Sequence, residues 1–263
     1  MTPPVRTAAR PFRDLYYVRL VTTGLSFLLF GVGGTLLGIV VVPLLLVVPG
    51  SSTARRKRIR RMIRLAFRFF IGFMNQTGGI SYSFTGAERL GRPGQLIIAN
   101  HPSLIDIVLL IAFTPDAGCV VKREAWRNPA MVIGVSAAGY VPNAPTELMI
   151  ERATALLAAG ECLIMFPEGT RTFPHRPMHF HRGAASVALR AASVVTPVFI
   201  HVEPPSLGKS MPWYQLPDPR AHFALRVGND IDPAAFRNGP PPIASRAFNE
   251  HLAAIYAVEV AAN

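Results

Sequence analysis

The stretch Leu96–Leu110, LIIANHPSLIDIVLL, predicts a short buried strand that ends in a turn carrying His101. Pro102 suits the first position of a following helix, because its ring holds φ at a helical value and no N–H is needed there. Asp106 would then lie in the second turn of that helix. Side chains five positions apart point to different sides of an ideal helix, so His101 must precede the helix for the pair to meet.

A pairing of His101 with Asp106 predicts general acid–base chemistry. A carboxylate on one imidazole nitrogen fixes the tautomer and stabilises the imidazolium, so the other nitrogen can accept a proton. His101 is therefore the candidate general base, and the alternative is a capping histidine beside an aspartate on a solvated helix face. Ser103 suggests a serine hydrolase, but the chain contains no GxSxG pattern and Ser103 falls in the first turn of the predicted helix.

A second strand-like run ends in a polar turn within Cys162–Thr172, CLIMFPEGTRT. Arg171 offers a planar fork that suits phosphate or carboxylate, and Glu168 can hold that fork or a substrate hydroxyl. Gly169 lets the backbone approach a ligand closely, and Thr170 adds a hydroxyl. The pattern predicts an anion-binding loop, and the alternative is a surface turn that carries a salt bridge.

Together, NHPSLID and FPEGTR resemble the hallmark blocks of the glycerolipid acyltransferases of the lysophosphatidate acyltransferase family. The order of the two blocks and their separation match that family. The resemblance covers about residues 80–202. Weaker matching blocks are VVKRE at 120–124, FHRGA at 180–184 and VTPVFI at 195–200. The resemblance implies an α/β acyltransferase domain.

The resemblance also implies a direct transfer of a fatty acyl group between two bound substrates. His101 would deprotonate an acceptor hydroxyl, which attacks the thioester carbonyl of acyl-CoA or an acyl carrier protein, while Asp106 orients His101. The leading acceptor is the lysophospholipid 1-acylglycerol-3-phosphate, and the product is phosphatidate. Neither a covalent acyl-enzyme nor a metal or other cofactor is implied. The residues expected to bind substrate are Glu168, Gly169, Thr170, Arg171, Lys122 and Asn143.

One departure from the family bears on the acceptor. Where the family has an Arg that contacts the acceptor phosphate, the stretch 138–146 reads AGYVPNAPT and carries Asn143 instead. An Asn donates hydrogen bonds without charge, so a phosphate would lose a charge-assisted contact. The runner-up acceptor is therefore a phosphate-free or specialised lipid. Side chains that could replace the Arg are Arg123, Arg127, Arg176, Arg182, His175, His179 and His181.

Two alternatives of other classes stay open. The spacing of the histidines in HRPMHFH, 175–181, permits a metal site, although no Cys and few carboxylates lie beside them, which favours a polar substrate loop. The whole chain could also be a non-catalytic lipid-binding membrane protein that retains the scaffold.

The N-terminal part of the chain predicts membrane association. No charged residue occurs from Leu20 to Gly50, and a helix of that length spans a bilayer core of roughly 30 Å. Its glycines and Pro43 also permit a hairpin that enters one leaflet and returns. Eight basic residues follow in Arg55–Arg68, interleaved with apolar ones, which is typical of a helix lying on anionic phospholipid. The distribution of basic residues predicts that the catalytic domain lies on the cytoplasmic face.

Composition agrees with one membrane-associated part and one catalytic domain. We expect helices in residues 1–75, with an apolar segment at 20–50 and a basic amphipathic helix at 55–70, and a catalytic domain at 76–263. The net charge of +12 would suit nucleic acid in a soluble chain, but the adjacent apolar segment favours lipid and no nucleic-acid partner is expected. The only cysteines, Cys119 and Cys162, lie in apolar runs and are expected to be reduced core residues.

Strand and helix patterns alternate through the catalytic part, which predicts an α/β fold with a mostly parallel sheet flanked by helices. The predicted strands are Ser81–Thr85, Leu96–Ala99, Cys119–Lys122, Cys162–Phe166, Val194–His201 and His222–Val227. The predicted helices are Leu104–Ala112, Ala130–Ala137, Glu147–Ala159, Gly183–Ala192 and Ser245–Val258, the last capped by Ser245. The loop 208–219 is expected to be an ordinary surface loop; contact of Lys209, Trp213 or Tyr214 with substrate or membrane is the alternative.

Overall fold

The computed structural model describes residues 5–6, 16–129, 131–143, 146–172 and 178–261. A mostly parallel sheet is flanked by helices, which confirms the predicted fold class. The strands are β1 (Val5–Arg6), β2 (Ser81–Thr85), β3 (Gln95–Ala99), β4 (Ala117–Lys122), β5 (Val141–Asn143), β6 (Cys162–Met165), β7 (Val194–Glu203) and β8 (His222–Val227). The helices are α1 (Tyr16–Leu36), α2 (Val42–Val47), α3 (Ser52–Gln76), α4 (Asp106–Phe113), α5 (Val132–Ala137), α6 (Thr146–Ala158), α7 (Gly183–Ala191) and α8 (Pro241–Ala261).

The strand order in the sheet is β1-β2-β8-β7-β3-β6-β4-β5. Only the β1–β2 and β7–β8 pairs are antiparallel among the described strands. Strand β3 is central and buried at every position, as expected for an apolar run covered by helices on both faces. Ile97 packs in the core on the face of α3 and α4, and Ile98 packs in the core beneath α6, α7 and α8.

Several element boundaries differ from the sequence-based prediction. Helix α4 begins at Asp106 and not at Leu104, so Asp106 is its first residue and the prediction of a second-turn position is wrong. Helix α8 begins at Pro241, and Ser245 is therefore no cap; it lies buried in the helix with its hydroxyl donating to the carbonyl of Pro242. The short strand β5 was not predicted, because three residues are too few to establish a pattern of alternation.

The apolar N-terminal segment forms one continuous helix over Tyr16–Val47, which is long and apolar enough to cross a membrane. A π-helical segment at Leu37–Val41 precedes Pro43, as expected where a proline removes a helical hydrogen bond. The chain does not return within this helix, so the alternative of a hairpin inside residues 20–50 is not what the structure shows. The return comes with α3, and Phe30 of α1 packs on Phe67 and Phe70 of α3.

The loop at 208–219 packs against the first turns of α1. The ring centroids of Trp213 and Phe27 lie 6.1 Å apart, and the Arg19 guanidinium donates to the carbonyl of Pro217 at 2.6 Å. Trp213 and Tyr214 nevertheless stay about half exposed. The loop is therefore more than a solvated connection, because it joins the catalytic domain to the apolar helix.

Helix α3 is bound to the catalytic domain along much of its length. Ile59, Ile71 and Met74 are each at most 1% exposed and belong to the main core, whereas Leu65 and Phe69 on the same helix stay exposed. The expectation that the apolar side of this basic helix rests on lipid is therefore wrong for the buried residues, which face protein. Helix α3 ends at Gln76, next to the predicted domain boundary at 75/76. Its buried residues nevertheless belong to the same core as the sheet that follows this boundary.

Two arginines of α3 converge on one buried carboxylate. The carboxylate of Glu161, just before β6, lies 2.7 Å from Nη2 of Arg56 and 2.7 Å from Nη2 of Arg60. Arg60 is 2% exposed and also donates to the backbone carbonyl of Ala138. A buried charge of this kind requires its partner, because an unpaired guanidinium in the interior is costly.

We expect Glu161→Gln to lower the free energy of unfolding by about 3 kcal/mol, since it leaves a buried guanidinium facing an amide N–H₂ group. Chemical or thermal unfolding in detergent measures the change. The matched control is Glu147→Gln, because Glu147 pairs with Arg190 in an exposed salt bridge and its loss should cost less than about 1 kcal/mol. Equal stability of the two variants would contradict a structural role for the buried pair.

Candidate active site

His101 and Asp106 meet at the carboxyl end of β3. Nδ1 of His101 lies 2.9 Å from Oδ2 of Asp106, and the same oxygen accepts the backbone N–H of Ser103 at 2.7 Å. The side chain of Asp106 is fully buried, whereas that of His101 is 17% exposed. The predicted pairing is thus present. Nε2 of His101 makes no hydrogen bond within the described part of the chain.

The local backbone explains how the pair forms. Residues 102–105 make a turn before α4, so His101 lies outside the helix and its side chain folds back toward the first helical residue. The backbone N–H of Leu104 is satisfied by the carbonyl of Leu207 at 3.0 Å. Burial raises the pKa of Asp106, and the hydrogen bonds from His101 and Ser103 oppose that rise. The Ser103 hydroxyl is fully buried, which argues against the serine-hydrolase alternative.

Glu168 links the two sequence motifs. Its Oε1 accepts the backbone N–H of His101 at 3.0 Å and the hydroxyl of Thr172 at 2.8 Å. The backbone N–H of Thr172 in turn donates to the carbonyl of His101 at 2.7 Å. Burial raises the pKa of the Glu168 carboxyl. Glu168 therefore links the turn at His101 to the turn at 167–172. Among the described residues it makes no ion pair with Arg171, so it does not hold the guanidinium as the sequence suggested it could.

The other residues of the FPEGTR turn have separate places. Gly169 adopts φ +64°, a left-handed conformation that favours glycine, and a Cβ there would lie 3.3 Å from the ring of His181. Nη1 of Arg171 donates to the carbonyls of Leu207 at 2.9 Å and Gly208 at 2.8 Å. Arg171 therefore ties the turn to the 207–208 backbone, and Thr170 is half-buried in the same turn.

Two buried polar side chains support the strand ends that carry the site. Asn100 donates to the carbonyl of Ile200 at 2.7 Å and accepts its N–H at 2.8 Å, which joins the end of β3 to β7. The hydroxyl of Tyr256 from α8 donates to the carbonyl of Ile98 in β3 at 2.6 Å.

A cavity of about 330 Å³ lies beside this turn. Its lining residues are Lys122, Arg123, Glu124, Asn143 and Gly169. Lys122 and Asn143 stand opposite each other in the β4–β5 register, so the short strand β5 places both at one sheet end. The structure therefore brings together three of the predicted substrate-binding residues. We name this space the acceptor cavity, for the binding role that we propose for it.

The other side chains that could replace the missing Arg lie in different places. Arg123 lines the acceptor cavity, whereas Arg127 does not. His179, His181 and Arg182 line a second cavity, and His181 lies beside Gly169 of the 167–169 turn. His175 and Arg176 lie outside the described residues. Within those residues no group of three or more His, Cys, Asp or Glu could hold a metal ion, and the metal hypothesis for 175–181 is left as a prediction.

Sequence reasoning missed four residues that shape the site. Phe166 stacks on His101 with ring centroids 4.3 Å apart, and Thr172, Asn100 and Tyr256 make the hydrogen bonds described above. Phe166 and Thr172 flank the PEGTR letters, so their proximity could have been suspected once the two motifs were placed at neighbouring strand ends. Nothing local marks Tyr256, which lies 158 positions from its acceptor.

Residues 81–201 match the family described as Acyltransferase. Among curated relatives, the 1-acyl-sn-glycerol-3-phosphate acyltransferase of Pseudomonas aeruginosa is 26% identical over 149 residues, or 54% of this chain and 58% of that protein. A chloroplastic 1-acyl-sn-glycerol-3-phosphate acyltransferase of Arabidopsis thaliana is 28% identical over 44% of this chain and 33% of that protein. One from Cocos nucifera is 30% identical over 40% of this chain and 36% of that protein. The matched stretches thus span between a third and just over half of the relatives' length.

The fold as a whole has a solved counterpart. The crystal structure of the 1-acyl-sn-glycerophosphate (LPA) acyltransferase PlsC from Thermotoga maritima superposes with a TM-score of 0.63 at 20% identity, covering 93% of this chain and 98% of that chain. At this identity the likeness concerns the fold alone. Residues 81–201 of this chain therefore match the Acyltransferase family, and the curated relatives and the shared fold agree with that match.

Proposed function

We propose that the chain transfers a fatty acyl group from a thioester donor to a hydroxyl of a lysophospholipid, with lysophosphatidate as the leading acceptor. The observation that carries the proposal is the His101 ring, held through Nδ1 by a buried carboxylate and partly open to solvent. The curated relatives are 1-acyl-sn-glycerol-3-phosphate acyltransferases, which supports this acceptor class. The donor is acyl-CoA or an acyl carrier protein.

The proposed chemistry is one addition and one elimination. Nε2 of His101 takes the proton of the acceptor hydroxyl as its oxygen attacks the thioester carbonyl carbon. The buried carboxylate of Asp106 stabilises the imidazolium that results. The carbon–sulfur bond then breaks, the new ester leaves with the acceptor, and the thiolate takes the proton back from His101. Atoms and charge balance without a covalent acyl-enzyme.

The acceptor cavity suits an anionic head group despite the missing Arg. Lys122 and Arg123 bring two cations to its wall and Glu124 one carboxylate, while Asn143 adds a neutral amide. An Arg supplies charge-assisted hydrogen bonds to phosphate, which are among the stronger polar contacts. We infer that Arg123 takes the place of the Arg that Asn143 replaces. A phosphate-free acceptor is the second candidate, favoured by Asn143 itself.

The N-terminal helices fit an enzyme that draws a lipid acceptor from a membrane. The helix over Tyr16–Val47 exposes large apolar side chains along its length, among them Leu28 and Leu44. Trp213 and Tyr214 lie half exposed beside its start, and aromatic rings of this kind favour the membrane interface. We propose that this surface meets the bilayer and that the catalytic domain lies on the cytoplasmic face. A non-catalytic lipid-binding role is the alternative of a different class.

The test compares acceptors and tests the two cations. Purified protein in detergent, given labelled acyl-CoA or acyl carrier protein, should acylate lysophosphatidate in preference to a monoacylglycerol. We expect Arg123→Gln or Lys122→Gln to raise KM for lysophosphatidate by about tenfold or more, which is the effect of losing one charge-assisted hydrogen bond. KM for monoacylglycerol should stay unchanged, because that acceptor carries no phosphate.

Arg127→Gln is the matched control, since it removes an arginine four positions away that does not line the cavity. Preference for the monoacylglycerol would move the protein to the phosphate-free candidate. A KM unaffected by Arg123→Gln but raised by Arg127→Gln would refute the inferred replacement. Absence of transfer to either acceptor would support the non-catalytic alternative.

A further inference from the structure

A second cavity, of about 430 Å³, lies close to the 167–169 turn, and it shares no lining residue with the acceptor cavity. The two cavities share that turn, because Gly169 lines the first and its Cα faces the ring of His181, which lines the second. The backbone N–H of His181 also donates to the carbonyl of Pro167 at 2.8 Å. Glu168 of this turn holds the backbone of His101, so both cavities lie close to a turn that contacts the residue proposed to carry the chemistry.

The wall of the second cavity is basic, and its two guanidinium groups have no partner among the described residues. Arg182 and Arg246 both line it, and neither guanidinium makes an ion pair or hydrogen bond within the described part of the chain. His179 and His181 meet edge to face at 5.2 Å on the same wall. The lining residues are His179, Phe180, His181, Arg182, Arg246, Asn249 and Glu250, so one carboxylate stands against two arginines and two histidines.

The position of this wall adds to its preference for anions. Arg182 is the residue before α7, whose first N–H groups carry the positive end of the helix dipole. Planar guanidinium groups in such a place suit phosphate, which they can bind through two parallel hydrogen bonds. The volume lies within the range of pockets for small ligands. The acceptor cavity already accounts for one anionic head group, so this cavity is available for the other substrate.

We propose that the second cavity binds the phosphate groups of the acyl donor, that is, of a thioester carrier of the phosphopantetheine type. This assignment rests on the proposed acyl transfer, which needs a donor and an acceptor bound together. The geometry points to separate basic cavities for the two anionic ends, since the two cavities share no lining residue. Neither phosphate then competes for the other's site.

The test uses the double variant Arg182→Gln/Arg246→Gln in the full chain. We expect KM for acyl-CoA to rise by about tenfold or more, because two charge-assisted contacts to phosphate are lost. KM for an acyl-pantetheine, which carries the same thioester without phosphate, and KM for lysophosphatidate should stay within about twofold of their wild-type values. The same KM comparison with acyl carrier protein as the donor shows whether the cavity binds the phosphates of coenzyme A or the phosphate of the carrier protein's prosthetic group.

Arg190→Gln is the matched control, since Arg190 lies on the same helix and pairs with Glu147 away from the cavity. An equal rise in KM for acyl-CoA and acyl-pantetheine would refute the proposal, as would a rise for lysophosphatidate or no rise for any phosphorylated donor.

Calorimetric binding of free coenzyme A and of pantetheine provides a readout that is independent of turnover. Coenzyme A should bind the wild type and lose at least about tenfold in affinity in the double variant, while pantetheine should bind both equally. A wild type that binds coenzyme A in this way but transfers nothing would refute the proposed function and still support the cavity. If neither coenzyme A nor the carrier protein binds, the cavity assignment is overturned.

Discussion

His101→Ala should lower kcat for acyl transfer by at least about a hundredfold, with little change in KM for either substrate. A positioned general base typically contributes a factor of 10² to 10⁴, and no other titratable side chain among the described residues bonds to Asp106. His101 contacts Asp106 and Phe166 through its side chain and Glu168 and Thr172 through its backbone. The backbone bond to Glu168 survives in the variant, so the loss falls on the chemical step and not on the fold.

The measurement is the initial rate at saturating donor and lysophosphatidate. His201→Ala is the matched control, because His201 lies exposed on β7 and should retain a rate within about twofold of wild type. Unfolding curves of both variants separate a chemical effect from loss of structure. A His101→Ala enzyme that keeps a tenth or more of the wild-type rate would rule out general-base catalysis by this residue.

Asp106→Asn should also lower kcat by at least about a hundredfold, and for an electrostatic reason. One oxygen, Oδ2, accepts both the imidazole N–H and the backbone N–H of Ser103, so the amide oxygen of Asn can take the same two bonds. The other oxygen, Oδ1, is buried without a hydrogen bond among the described residues, and the amide N–H₂ can occupy its place. The geometry survives while the negative charge that stabilises the imidazolium is lost.

The same substitution should leave stability unchanged or slightly higher at neutral pH. Burial raises the pKa of Asp106 above its unfolded value, so the folded state holds the proton more tightly than the unfolded chain. The contribution of this group to stability is therefore greatest below the unfolded pKa and is lost as the pH rises through the folded pKa. The Asp106→Asn variant has no titrating carboxyl at this position, so it does not lose this contribution to stability. Its unfolding midpoint should therefore fall less than that of wild type as the pH increases.

Asp106→Ala is the informative companion variant. It removes the acceptor for the Ser103 N–H as well as the charge, so both kcat and stability should decrease. If Asp106→Asn were as unstable as Asp106→Ala, the effect on kcat would be structural. If Asp106→Asn kept its activity, the carboxylate would orient His101 without stabilising the imidazolium.

The parts of the site that the sequence predicted are the parts built by neighbouring residues. His101 and Asp106 are five positions apart, and one turn of chain suffices to bring them together. The left-handed turn at Gly169 is likewise decided within a few residues. Strand and helix types were predictable for the same reason, since apolar periodicity is a local property.

Contacts between distant segments were not predictable in this way. Asn100 forms a hydrogen bond to Ile200, which lies 100 positions further along the chain. Glu161 pairs with arginines of α3 that precede it by more than 100 positions. The pattern of the basic helix predicts contact with lipid, because a sequence pattern does not distinguish an apolar residue that faces protein from one that faces lipid. Burial against α4 and the sheet makes Ile59 and Met74 core residues, whereas Leu65 on another face stays exposed.

The sequence alone predicts the resemblance to acyltransferases, the α/β class, the long apolar helix and the dyad of His101 and Asp106, because each depends on composition or on spacing within a few turns of chain. The tertiary structure was needed to show that Glu168 holds the backbone of His101 and that two cavities with basic walls lie close to its turn. The physical reason is that strand order sets which loops meet at a sheet end. That order comes from packing the whole chain into one core.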